Sequence, residues 1–234
     1  MVAISHPYRF IFIKTIKTGG SSIEMFFEPL CTPPGHVVEH LTPTLVSEYG
    51  VIGRRGPSRL GVFDNAVSRR LSRYQKWYNH MTAAQVRRRL GRETFDSYLK
   101  ISSIRNPYDL VISLYFQVGR GKRQALPEDP DALRDAFREF VAGRWTNQLK
   151  LLNVDGQMAV QRFVRLENVV DDLSGIASEI GADISLLKLP HVKNNTTRSR
   201  TLTDYYDRGA AERVRDHMGW VFDRFEYAPD IPGL

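Results

Sequence analysis

The sequence predicts an α/β protein with three layers, a central and mainly parallel sheet flanked by helices. Three observations carry this. The run Tyr8-Arg9-Phe10-Ile11-Phe12-Ile13 is nearly continuous in apolar character, as a strand buried on both faces requires, and it leads into a glycine-containing loop and a helix. A second strand, Tyr98–Ile104, is followed at once by Arg105-Asn106-Pro107, in which Asn106 and Pro107 are a strong helix-start signal. Strand and helix patterns then alternate to the C-terminus, the order in which parallel sheets are built.

The first strand is expected to be central. After it, Ser21 and Glu24 have capping-box spacing and place a helix over Ile23–Phe27, ending before Pro29. From about Cys31 to Lys76 the chain reads as irregular, interrupted by Pro33-Pro34-Gly35, Gly53, Gly56-Pro57 and Gly61, an excursion of the kind that shapes binding sites. Thr82 and Gln85 mark a second capped start, with a helix over Ala83–Leu90 stopped near Gly91. The helix after Asn106 is expected over Tyr108–Val118, ending at Gly119. A polar loop, Gly121–Pro130, precedes one amphipathic helix over Asp131–Leu152. Val160–Leu166 is a third strand and Val169–Ile180 a helix closed by Gly181. A polar loop, Lys188–Arg200, and a helix over about Ala210–Phe222 complete the chain. No internal repeat or low-complexity tract appears.

At 234 residues one domain, 1–234, is expected. Hydrophobic residues make up 42% and charged residues 25%, which excludes disordered and fibrous classes. The single cysteine, Cys31, has no partner for an internal disulfide and fits a reducing compartment. Without a leader pattern or an 18-residue apolar run, a cytoplasmic protein with no integral membrane segment is expected. Thirty-three Lys and Arg against 26 Asp and Glu give a net charge of +7, suited to a polyanionic ligand, a nucleic acid or an anionic surface. The densest basic segments are Arg54–Arg55, Arg69–Arg73 and Arg87–Arg92; as they stand, they also read as solvated surface.

Strand, glycine loop and helix N-terminus form an anion site, because backbone N–H groups and the positive end of the helix dipole converge there. Gly19 and Gly20 permit a close approach, Lys17 adds a charge, and Thr18, Ser21 and Ser22 add hydroxyls. A tight turn with a capping serine is the alternative reading. The lysine precedes both glycines, so this is not G-x-x-x-x-G-K-[ST], and G-x-G-x-x-G is also absent here. Arg105 follows the second strand directly, and Ser113 lies eight residues on, about two helical turns. C-terminal strand ends line the ligand crevice of a parallel sheet, so Arg105 and the Lys17 loop are expected to meet across one cleft. Two anion sites suit a ligand with two phosphate positions; alone, Arg105 also reads as a surface or capping arginine.

Phe10–Ser22, with its Lys-Thr-Gly-Gly-Ser-Ser core, resembles the loop by which carbohydrate sulfotransferases hold the 5'-phosphosulfate of their donor. Ile104-Arg105-Asn106-Pro107-Tyr108-Asp109 with Ser113 and Tyr115 resembles their 3'-phosphate motif. His80-Met81-Thr82-Ala83-Ala84, Leu189-Pro190-His191-Val192-Lys193-Asn194 and Tyr205-Tyr206 are similar to further segments of that family. The sequence departs from the family pattern at Ile16, where proline is frequent, at Leu110, and in the order His-Val-Lys-Asn-Asn of the late loop. The resemblance implies a P-loop NTPase-like sulfotransferase fold. It also implies 3'-phosphoadenosine 5'-phosphosulfate as sulfuryl donor, with 3'-phosphoadenosine 5'-phosphate as product, and a carbohydrate or glycan hydroxyl as acceptor.

On that reading Lys17 stabilises the leaving phosphate and Thr18, Gly19, Gly20, Ser21 and Ser22 orient the phosphosulfate. Arg105 and Ser113 grip the 3'-phosphate, a task suited to the planar guanidinium fork. Lys193 and Asn194 belong to a loop whose family counterpart covers the donor. An attacking alcohol must lose a proton, and His80, before a helix N-terminus that favours neutral imidazole, matches the family's catalytic base. His36, His40 and His191 are weaker rivals, and His217 is expected to be structural. Arg165 and Glu167 read as a surface ion pair with a route to the nucleotide side. No metal spacing is recognisable among the histidines, and neither a metal nor a nucleic-acid partner is expected. A nucleotide kinase and a basic nucleic-acid-binding module are the rival classes.

Overall fold

In a computed structural model, residues 2–53, 77–121, 127–187 and 200–234 are described. The basic segments 54–55 and 69–73, His191, and the binding residues expected at Lys193 and Asn194 lie outside them. The chain divides into two compact units, one of Met1–Ile104 with Gln148–Val192, the other of Arg105–Asn147 with Lys193–Leu234.

The first unit holds the sheet. Its strands are β1 (Val2–Ser5), β2 (Phe10–Ile13), β3 (Leu45–Ser47), β4 (Gly50–Ile52), β5 (Leu99–Ile104) and β8 (Arg162–Arg165), in the order β3-β4-β1-β2-β5-β8. β2, β5 and β8 run parallel, the part the alternating pattern predicts. β1, β4 and β3 join antiparallel, so the sheet is mixed. The reason is local: Val2–Ser5 turns back on Phe10–Ile13 through a tight connection with Arg9 in the left-handed region (φ 52), and no crossover helix intervenes. β6 (Asn153–Val154) and β7 (Gln157–Met158) form a separate hairpin.

Side chains alternate across each strand, so Phe10 and Phe12 of β2 share a face with Ala3, Ile52, Ile101 and Val164. Helices α1 (Gly20–Phe27) and α7 (Val169–Glu179) pack on that face with Ile23, Phe26, Phe27, Leu173, Ile176 and Ala177. The aromatic contacts are close, with the Phe10 and Phe27 rings 4.9 Å apart. α2 (Ala83–Leu90) has the expected reciprocal cap: the Gln85 N–H donates to Thr82 Oγ1 (3.2 Å) and the Thr82 N–H to Gln85 Oε1 (2.9 Å). α3 (Arg92–Ser97) follows, and the Lys100 ammonium covers carbonyls at its C-terminal end, donating to Phe95, Asp96 and Tyr98.

The second unit is helical. α4 (Pro107–Gly121) starts as expected, with Asn106 Oδ1 accepting from the Tyr108 N–H (2.9 Å). The single helix expected over Asp131–Leu152 is two: α5 (Pro130–Ala142), capped by Asp129 and stopped at Gly143, and the short α6 (Leu149–Leu152), which belongs to the first unit. The amphipathic period continues past Gly143 in sequence, but Gly143 is extended and ends the helical backbone. α8 (Arg208–Arg224) packs with α4 and α5 around Tyr108, Phe137, Tyr206, Val214 and Val221. The Tyr206 hydroxyl donates to the Tyr108 carbonyl (2.9 Å).

Candidate active site

The loop between β2 and α1 departs from its expected cap. Gly19, in the left-handed region (φ 73), is the N-cap of α1, and no side chain caps the helix among the described residues. Ser21 is already inside the helix. Its Oγ and the Glu24 carboxylate are both held by Lys14, whose ammonium donates to Ser21 Oγ (2.8 Å) and Glu24 Oε2 (2.9 Å). The Ser21–Glu24 spacing is thus a lysine-binding pair rather than a capping box. First-turn N–H groups lack carbonyl partners within a helix, so those of Gly20 and Ser21 face the loop, where the helix dipole is positive.

Two steric facts fix the glycines. A Cβ on Gly19 would lie 2.5 Å from Leu166 Cδ1, and one on Gly20 2.7 Å from Lys14 Cγ. Lys17 also adopts a left-handed conformation (φ 63), uncommon for a lysine. Half-buried Lys17, Ser21 and Ser22 line the loop, whereas Thr18 is fully buried. The Thr18 hydroxyl is engaged with Thr15 Oγ1 (2.8 Å) and Ser103 Oγ (2.7 Å), so what Thr18 offers an anion is its backbone N–H.

One clamp was not anticipated. The Gln148 side-chain amide accepts from the Ile16 N–H (2.7 Å) and donates to the Ile16 carbonyl (3.0 Å), pairing with both backbone groups of the residue before Lys17. Gln148 is buried and itself left-handed (φ 68). Its separation from Ile16 by 132 residues explains why no local signal marks it.

His80 falls in the same unit as this loop and touches it. Its Nδ1 lies 3.3 Å from the Lys14 carbonyl oxygen, which can only accept, so Nδ1 carries the proton and Nε2 keeps the lone pair. His80 is left-handed (φ 54), a strained conformation for a residue with a side chain. Burial above all, with nearby positive charge of which Lys14 is a smaller part, holds its pKa down to about 3 from 6.5. Below pH 6.5 the unfolded chain therefore takes up a proton that the folded chain refuses until about pH 3. Stability is expected to fall with pH across that window by about 1.4 kcal/mol per unit. Denaturant unfolding of wild type and His80→Asn measures this. The advantage of wild type should shrink from pH 7 to pH 4, and a constant difference refutes a buried neutral imidazole.

The other histidines are placed differently. His36 Nε2 is 2.8 Å from the buried Glu28 carboxylate. His217 Nε2 meets the Trp145 carbonyl (3.1 Å) with the two rings 4.3 Å apart, the structural role expected of it. Arg165 holds Asp172 through two side-chain bonds of 3.0 and 2.7 Å, and its backbone N–H donates to the same carboxylate. These bonds hold the Asp172 carboxyl below its ordinary range against the opposing effect of burial.

In the second unit Arg105 lies two residues before α4, and Asp109 and Ser113, spaced four apart, lie on one side of that helix. Arg105 is largely buried and forms a long ion pair with Asp109 (3.8 Å), and Ser113 is half-buried. Among the described residues no group of three or more His, Cys, Asp or Glu side chains is placed to hold a metal ion, and no helix is long and apolar enough to cross a membrane. Compared with models of protein families, with curated proteins and with solved structures, the chain matches none.

Proposed function

We propose that the chain is a sulfotransferase that moves the sulfuryl group of 3'-phosphoadenosine 5'-phosphosulfate to a hydroxyl of a carbohydrate. One observation supports this above the others: the Lys17–Ser22 loop opens a helix whose N-terminus has no side-chain cap, and His80, with its lone pair on Nε2, is anchored on the strand end that feeds this loop. The 5'-phosphosulfate is assigned to the loop, and the 3'-phosphate to Arg105 and Ser113, following the resemblance of both motifs to carbohydrate sulfotransferases.

In the reaction the acceptor oxygen attacks sulfur in line. The bond from sulfur to the bridging oxygen breaks, and the electron pair stays on the 5'-phosphate, where Lys17 and the loop N–H groups offset the charge. The acceptor proton passes to His80 Nε2. A pKa near 3 makes His80 a weak base in the empty protein. A polyanionic donor in the loop would offset only the positive-charge part of that depression, while burial, its main cause, would remain.

A kinase reading requires carboxylates for magnesium, and a nucleic-acid module requires binding without a donor; neither uses both the loop and the Arg105–Ser113 pair. Calorimetry with 3'-phosphoadenosine 5'-phosphate against ADP tests the proposal. A preference for the bisphosphate of about tenfold or more, lost in Arg105→Ala, is expected from one charge-assisted phosphate contact. Equal affinity for the two nucleotides, or none for either, rejects the donor assignment.

A further inference from the structure

We propose that Lys14 is a positioning residue that fixes the Ser21 hydroxyl as an outward-pointing donor to the anion held by the loop. This rests on the reading of the loop as the 5'-phosphosulfate site. Lys14 follows the last residue of β2, and its side chain is buried, 10% exposed, beneath the loop. It passes under Gly20: a Cβ there would meet Lys14 Cγ, Cε and Cδ at 2.7, 3.1 and 3.3 Å, so a glycine at this position makes room for the lysine stem.

The chemistry follows from what an ammonium can do. It has three donors and no acceptor, so in the 2.8 Å contact Ser21 Oγ must accept. The one hydroxyl hydrogen of Ser21 is then left for a different acceptor, and a phosphate or sulfate oxygen is such a group. Glu24, 1% exposed, holds the ammonium from the other side at 2.9 Å, so the direction of the Lys14–Ser21 bond is set by a buried ion pair. The pair is close to neutral as a whole, and its effect on a ligand runs through Ser21 rather than through added charge. Lys14 and Lys17 thus have separate tasks despite their shared chemistry.

A double-mutant cycle on affinity for 3'-phosphoadenosine 5'-phosphate tests this. Lys14→Met with Glu24→Gln removes both charges together and avoids a lone buried carboxylate. It is expected to weaken binding roughly tenfold where Ser21 is present, and less than about twofold in the Ser21→Ala background. Lys14→Gln with Glu24→Gln retains an N–H donor for Ser21 and is expected to stay within about threefold of wild type; it also serves if the methionine variant does not fold. An equal loss in both backgrounds, no loss at all, or a loss with glutamine as large as with methionine overturns the proposal. If wild type binds pyrophosphate but not the nucleotide, the donor reading fails and the same cycle on pyrophosphate decides Lys14. Binding of neither probe overturns both.

Discussion

If the chain transfers a sulfuryl group as proposed, Lys17→Asn is expected to lower that transfer by about 100- to 1,000-fold while leaving the fold intact, the range found when one donor to a developing oxyanion is removed. Two features set the size of this effect. Of the two lysines near the loop, Lys14 is buried and paired with Glu24, whereas Lys17 is half-buried and is the one to which the proposal assigns the leaving phosphate. Its left-handed backbone (φ 63) also aims the side chain from a position clamped on one flank by Gln148, through Ile16. Asparagine is the informative replacement because it tolerates that conformation better than most residues, so the loop keeps its path and only the charge is lost. The thermal midpoint should move by no more than a few degrees, corresponding to about 1 kcal/mol or less. Transfer to a carbohydrate acceptor, measured at saturating donor, should carry the loss. Undiminished transfer would remove Lys17 from the chemistry and leave the loop as a binding element alone.

The parts of this site that were legible in the sequence are those whose cause is local. Phe10–Ile13 is buried on both faces and so reads as an apolar run, and the short segment Leu99–Ile104 is bounded by the helix-start signal at Asn106-Pro107. Thr82 with Gln85, and Asn106 with Pro107, act within one helical turn and cap α2 and α4 as expected. Ser21 with Glu24 has the same spacing yet is recruited by Lys14, seven and ten residues upstream, because Gly19 already ends the turn in a left-handed conformation. The Gln148 clamp on Ile16 and the packing of Leu166 against Gly19 join residues more than a hundred positions apart and leave no periodic trace. The hairpin of β6 and β7 has a local signal in Asp155-Gly156, which are both left-handed (φ 51 and 80), as a two-residue hairpin turn requires. The three-residue strands β3 and β4 are too short for alternation to register against their irregular surroundings. Here a single glycine is more informative than the pattern around it.

Gly50→Ala is expected to destabilise the protein by roughly 3 kcal/mol or more, the largest effect of any single methyl group considered. Gly50 opens β4 with φ 149 and pairs with Ser5 of β1. A Cβ there would lie 1.9 Å from the Ile4 carbonyl oxygen and 3.2 Å from that of Cys31. Both neighbours are backbone, and Ile4 is buried with its carbonyl in the middle of the sheet, so neither can rotate aside. The alanine must instead push β4 away from β1. That would break the antiparallel half of the sheet, and with it the lateral support of β2, whose C-terminal end leads into Lys14 and the loop. Gly119→Ala supplies the opposite sign. Gly119 lies within α4, has nothing within 4 Å of its Cβ position and has no positive φ, so alanine there should stabilise by about 0.5–1 kcal/mol. Denaturant unfolding of the two variants separates steric exclusion from backbone entropy. A Gly50→Ala protein as stable as wild type would show that β4 is not held against β1 at this position, and the loop would then have to be stable without the strand pair beside it.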